Sequence, residues 1–168
     1  MRILRVAVVG LCVGVIAALP WITEIQNLDY YHERTDQLLH NGRRVVNMVM
    51  YFHPSLCISC RTKMKEYQLV AKHFSEVGGE EVMISSFNCE MFSAECHRHH
   101  VERFPFFILW SGLRNHRRVY TGDIESDDLI EFVKDNWKAA RSHWKAVDQA
   151  KELAEDSHQS DKPMTAEL

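Results

Sequence analysis

Two cysteines stand three positions apart in Cys57-Ile58-Ser59-Cys60. Sulfurs so spaced can exchange disulfides, supply half of a zinc site, or close an inert disulfide. The flanking sequence favours exchange. Val45 to Phe52 (VVNMVMYF) is nearly continuous apolar sequence, the pattern of a strand buried on both faces. Pro54 and Ser55 break it. From Ile58 to Val77 the apolar residues Met64, Tyr67, Val70, Ala71 and Phe74 recur at helical spacing. The dithiol therefore opens a helix in a strand–helix unit, the setting of a redox pair, whereas zinc pairs sit on loops or knuckles. At a helix start, unpaired backbone N–H groups and the helix dipole favour thiolate over thiol. Cys57 is the candidate nucleophile. Cys60 is the candidate resolving thiol, which attacks a mixed disulfide and releases the substrate. This chemistry needs the two sulfurs close together and open to solvent.

Other residues could take part. Phe104-Pro105 precedes an apolar run, FFILW. Proline lacks a donor and is tolerated at a strand's first residue, and a cis bond there would be a built-in feature. His53 lies four residues before Cys57, either beside the dithiol or pointing away along the strand. His97, His99 and His100 form a run with Arg98 that reads as a solvated helix end or as a pH-sensitive or metal-binding cluster.

The elements that must position these residues follow from the rest of the chain. Residues 24–40 predict a short strand and then a helix ended by Asn41-Gly42. Gly78-Gly79 stops the helix that follows the dithiol. Val82 to Phe87 is a second buried strand, Glu95 to His100 a short helix, and Phe106 to Trp110 a third strand. Gly112 lies in a turn, Arg117 to Thr121 returns as a fourth strand, and a last helix starts at Ser126 and runs to Ala154. Ser126, Asp127 and Asp128 give that helix a hydroxyl cap and anions at its positive end. Trp137, Ala140, Trp144, Val147 and Ala154 follow helical spacing along it. Either the helix packs on its sheet, or it outlasts the domain and Trp144 and Val147 form an exposed apolar stripe. Glu155 to Leu168 is a polar tail expected to fray. Strands alternating with helices, then a terminal hairpin, make an α/β fold: a mixed sheet with helices on both faces.

The composition is that of one domain with attachments. Of 168 residues 46% are apolar and 26% charged, which excludes a wholly disordered or fibrous chain. A formal charge of −3 provides no basic field for a phosphate backbone, so nucleic acid is not an expected partner. Residues 1–20 (MRILRVAVVGLCVGVIAALP) carry a short basic start, an apolar run and small residues before Pro20, the layout of a secretory signal. Residues 3–22 are also long enough for an uncleaved membrane anchor. Either reading sends the remainder across a membrane. Cys12 lies inside the run, leaving Cys57, Cys60, Cys89 and Cys96, an even number in an oxidising compartment.

Taken together, the strand, the C-x-x-C at a helix start, the proline-led strand, the hairpin and the final helix resemble the thioredoxin fold, and more closely the protein disulfide isomerase family. Asn88-Cys89 through Cys96 is similar to that family's Asp-Cys to second-Cys stretch, with six residues between the cysteines as in some of its catalytic domains. Tyr120-Thr121-Gly122 is similar to its Tyr-x-Gly before the last helix. The resemblance covers residues 24–137, with 138–154 as a helical extension and 155–168 as the tail. It implies thiol–disulfide oxidoreductase activity on cysteine-containing proteins of the secretory pathway, in the endoplasmic reticulum lumen. The implied catalytic residues are Cys57, Cys60 and a cis Pro105 facing the dithiol. Leu56 and Phe104 are the expected client contacts, and no cofactor or metal is required. The resemblance also implies a structural Cys89–Cys96 disulfide, stabilising the fold by about 2–3 kcal/mol through closure of a small loop. A second redox pair is the sharper alternative.

The departures from the family are specific. Its Trp-Cys-Gly-His-Cys is Leu56-Cys57-Ile58-Ser59-Cys60 here, so a cation that would stabilise the thiolate is missing, and a more reducing pair is expected. The family's buried Glu is matched by Tyr51, its Arg past the hairpin by Ile124, and the Thr after its proline by Phe106. These losses imply slow or narrow activity. They also leave open a non-catalytic binding module or chaperone whose disulfide is only structural.

Overall fold

The computed structural model describes residues 21–25, 39–40, 43–111 and 117–160. The elements are β1 (Thr23–Ile25), β2 (Leu39–His40), β3 (Arg43–Arg44), β4 (Val46–Phe52), α1 (Cys60–Val77), β5 (Val82–Asn88), α2 (Ser93–Arg98), β6 (Phe106–Trp110), β7 (Arg117–Val119) and α3 (Ser126–Ser160). The expected signal or anchor over 1–20, the helix within 26–38, the Asn41-Gly42 cap, the Gly112 turn and the chain past 160 lie outside the described residues.

The apolar runs become the centre of one mixed sheet of order β1-β5-β4-β6-β7. β4 pairs parallel with β5 and antiparallel with β6, β1 adds parallel to β5, and β7 antiparallel to β6. Alternation along β4 divides its side chains between two faces. Val46, Met48 and Met50 face a core shared with Tyr67, Val70 and Phe74 of α1 and Leu129 and Val133 of α3. Val49 and Tyr51 face the other side with Phe87, Ile108 and the α2 residue Cys96. The fully buried Tyr67 joins α1 to the sheet: its hydroxyl lies 2.6 Å from the Met48 carbonyl and 2.9 Å from that of Ser85. Gly78 caps α1 with its N–H on the Phe74 carbonyl at 2.9 Å, and Gly79 turns the chain at φ 55°. A Cβ on Gly78 would meet that carbonyl at 2.8 Å and Val82 Cβ at 2.9 Å.

Several boundaries differ from expectation. Leu39–His40 is extended, not helical, and pairs antiparallel with Arg43–Arg44. Asn-Gly between two short extended segments is as much a hairpin signal as a helix stop. The fourth strand ends at Val119. The short helix starts at Ser93 and ends at Arg98, with His99 as its C-cap. Glu155 does not begin a frayed tail, because α3 continues to Ser160. Of the two readings of the last helix, the packed one holds at Trp144, which is 7% exposed and joins the core with Ala140. The core thus passes the expected domain end at residue 137. Arg44 fastens this stretch, donating to Asp148 at 2.7 and 2.8 Å and to the Trp144 carbonyl at 3.3 Å. That hydrogen bond holds the Asp148 carboxyl below its usual range.

Candidate redox site

β4 ends at Phe52, and the chain turns through residues 53–59 before α1 begins at Cys60. The His53 carbonyl organises this turn by accepting the N–H groups of Leu56 (3.2 Å) and Cys57 (3.0 Å). Ser59 occupies the N-cap without a side-chain capping bond. Among the described residues, nothing accepts the backbone N–H groups of Ile58, Ser59 or Arg61. Those open donors lie between and beside the two cysteines, where a developing thiolate needs them. Cys57 and Cys60 are joined as a disulfide, with Cα atoms 5.3 Å apart. They are less open than the chemistry anticipates: Cys57 is 8% and Cys60 7% exposed, and both belong to the α1/α3 core. Solvent instead meets the residues around them, Ile58 at 98% and Leu56 at 71%.

A second loop closes in from β5. The Phe52 carbonyl accepts the Cys89 N–H at 2.8 Å, and Ser55 donates its hydroxyl to Glu90 at 2.5 Å. This loop is closed by a Cys89–Cys96 disulfide whose sulfurs are buried in the opposite core. The Phe104–Pro105 peptide is cis. Phe104 packs against both cores, and its ring lies 5.5 Å from that of His53. The dithiol turn and the proline-led strand are therefore neighbours through His53. The imidazole points to Phe104, and its Nδ1 is buried without a hydrogen-bond partner among the described residues.

Two polar groups stand at the start of α1. The Ser59 hydroxyl is 3.8 Å from Cys57 Sγ, a neutral donor at the motif position where the family carries histidine. Lys63, one turn into α1, donates to the Ile124 carbonyl (3.0 Å) and to Glu125 (3.1 Å). A cation thus reaches the Ile124 backbone although position 124 carries none. The motif spacing pointed to Ser59; nothing local pointed to Lys63, whose partners are about sixty residues away. Tyr51 cannot stand in for a carboxylate. It is fully buried in the core of the Cys89–Cys96 disulfide, with its ring 5.6 Å from Phe87 and 6.2 Å from His99. Burial pushes its phenol well above the usual range, so it stays protonated. His99 is buried against Trp110 at 5.2 Å, and Arg117 donates to its carbonyl at 2.9 Å, whereas His97 and His100 are exposed. The histidine run is therefore split between core and solvent. Among the described residues no group of three His, Cys, Asp or Glu is placed to hold a metal.

A thioredoxin family model matches residues 32–135. Among solved structures, the J-Trx1 fragment of ERdj5 superposes with a TM-score of 0.57 at 18% identity, over 71% of this chain and 53% of that one. The zinc-bound form of human ERp44 gives 0.53 at 17% identity, over 68% of this chain and 30% of that one. This chain therefore spans about half of the first and under a third of the second, and the likeness is one of fold. A comparison with curated proteins finds no match. A family model that covers most of the chain, together with a mixed sheet bearing a Cys-x-x-Cys disulfide at the start of α1, places the protein in the thioredoxin family.

Proposed function

We propose that the protein is a thiol–disulfide oxidoreductase of the protein disulfide isomerase type, acting on cysteine-containing proteins of the secretory pathway. One observation carries the reading: the Cys57–Cys60 disulfide lies at the start of α1, in a turn whose His53 ring packs against Phe104, the residue before the cis Pro105. The exchange step uses the two thiols themselves. The Cys57 thiolate attacks one sulfur of a client disulfide; that bond breaks, a client thiolate leaves, and a mixed disulfide forms. The Cys60 thiolate then attacks Cys57 Sγ, closing Cys57–Cys60 and releasing the second client thiol. The client gains two electrons and the pair loses two, which a small dithiol or glutathione-class thiol must restore. The open N–H groups at residues 58, 59 and 61 and the Ser59 hydroxyl stabilise the thiolate at each stage. Leu56, Ile58 and Phe104 form the apolar border that a client would touch, and Pro105 positions its chain. The basic-then-apolar residues 1–20 and two disulfides support an exported protein working in the endoplasmic reticulum lumen, with residues 3–22 as the element that would anchor it if uncleaved.

A second reading has an observation of its own. Both cysteines are nearly buried, and Tyr51 and Ile124 replace the family's proton-handling residues, which favours a binding module with a structural disulfide. Insulin reduction by the purified protein with dithiothreitol separates the two. Turnover that is lost in Cys57→Ser, with a trapped mixed disulfide in Cys60→Ser, supports the enzyme. Equal rates for wild type and Cys57→Ser would leave the binding module.

A further inference from the structure

A groove of about 550 Å³ runs between the C-terminal half of α1 and the middle of α3. His73 and Val77 form its α1 wall, and Lys134, Lys138, Arg141 and Lys145 line the α3 side. Their spacing of four, three and four puts the four cations on one helical face. Glu81 engages Arg141 at 3.2 Å and accepts the Trp137 indole N–H at 2.9 Å. Among the described residues, no carboxylate pairs with Lys134, Lys138 or Lys145. A row of like charges along a concave wall calls for an anionic occupant.

The same face of α3 changes sign beyond Lys145. Asp148, Glu152 and Glu155 continue the three-and-four spacing. Asp148 is held by Arg44, while Glu152 and Glu155 have no cation partner among the described residues. Core packing on this helix ends near Trp144, so the last turns overhang the domain, with Leu153 71% exposed.

We propose that a second copy of this chain fills the groove, its α3 lying antiparallel on the first. A twofold axis beside residues 146 and 147 sets Lys145 against Asp148, Arg141 against Glu152 and Lys138 against Glu155, and symmetry repeats each pair. Three-and-four spacing keeps one seam facing its partner along two helices. An unrelated acidic peptide would match the basic half of the face and leave the acidic half unmet; a second copy matches both. A lipid surface fits less well, because the groove is concave and Trp137 is tied into its wall by Glu81. Cys60 and His73 are thirteen residues apart, about 20 Å along α1, so both dithiols stay clear of the seam.

Charge exchange tests this in the full-length chain carrying two different epitope tags. Wild-type copies should co-purify at low salt and separate near 1 M salt, where the Debye length is about 3 Å. Lys138→Glu sets two carboxylates at the Lys138–Glu155 pair, and Glu155→Lys sets two cations there, with symmetry repeating each clash. Each variant should lose self-association at least tenfold with its melting temperature unchanged, and a mixture of the two should recover it. Self-association of either variant at the wild-type level, or no recovery on mixing, overturns the proposal. So does a wild type that stays monomeric while binding phosphatidylserine vesicles.

Discussion

Trp144 decides where the domain ends, and two substitutions weigh it. The side chain is 7% exposed within the α1/α3 core, and its Nε1 is buried with no acceptor among the described residues. A buried tryptophan removes about 150–250 Å² from water, which at about 25 cal/mol per Å² is an upper estimate of about 4–6 kcal/mol. Trp144→Ala keeps a methyl group and leaves a cavity, so the expected loss is about 3–5 kcal/mol. For a chain of this size that lowers the melting temperature by about 6–20 °C. Trp144→Phe also creates a cavity, but it deletes the unpaired N–H, whose burial costs about 1–3 kcal/mol. The two effects oppose each other, and Trp144→Phe should stay within about 1.5 kcal/mol of wild type. Urea unfolding of the oxidised protein measures both. If Trp144→Ala unfolded within 1 kcal/mol of wild type, the helix past residue 137 would be an appendage and the packing argument would fail.

Three further outcomes follow from the site. Replacing both Cys89 and Cys96 by alanine should cost about 2–3 kcal/mol in urea while leaving insulin reduction intact; a parallel loss of turnover would make them a second redox pair. Ser59→His sets a cation beside Cys57 Sγ, stabilises the reduced pair and should make it more oxidising by on the order of 30 mV; glutathione equilibration read by mass would expose a shift in the opposite direction. Tyr51 is held protonated by burial, so its folded phenol titrates above its unfolded one. Its contribution is complete below about pH 10 and declines as pH rises above that value, because the unfolded chain releases the proton first. Tyr51→Phe should flatten this alkaline loss in pH-dependent unfolding, and an unchanged slope would contradict the assignment.

The central strands were legible because VVNMVMYF and FFILW have no polar side to place in water, and a sheet covered on both faces is where such runs settle. The start of α3 was legible in Ser126-Asp127-Asp128. Other features depend on residues far apart in sequence. Leu39–His40 and Arg43–Arg44 flank an Asn-Gly that serves a helix end or a hairpin equally well, and only tertiary pairing chooses. The Lys63 contact with Ile124 and Glu125 exists because α1 and the start of α3 lie side by side. The near burial of Cys57 and Cys60 was hidden for the same reason. The motif gives the spacing of the sulfurs, whereas their cover comes from packing with α1 and α3 that no local pattern reports.

The exposed rim formed by Leu56 and Ile58 has a kinetic consequence. Covering each side chain yields about 1.5–3 kcal/mol, without regard to what covers it. Two such contacts fall short of, or barely offset, the translational and rotational freedom that a bound polypeptide surrenders, about 4–15 kcal/mol. Unassisted, the grip is fleeting and blind to residue order. If the proposed exchange reaction operates, how long a polypeptide dwells is governed by the lifetime of the sulfur–sulfur link to Cys57, and the exchange chemistry itself acts as the release clock.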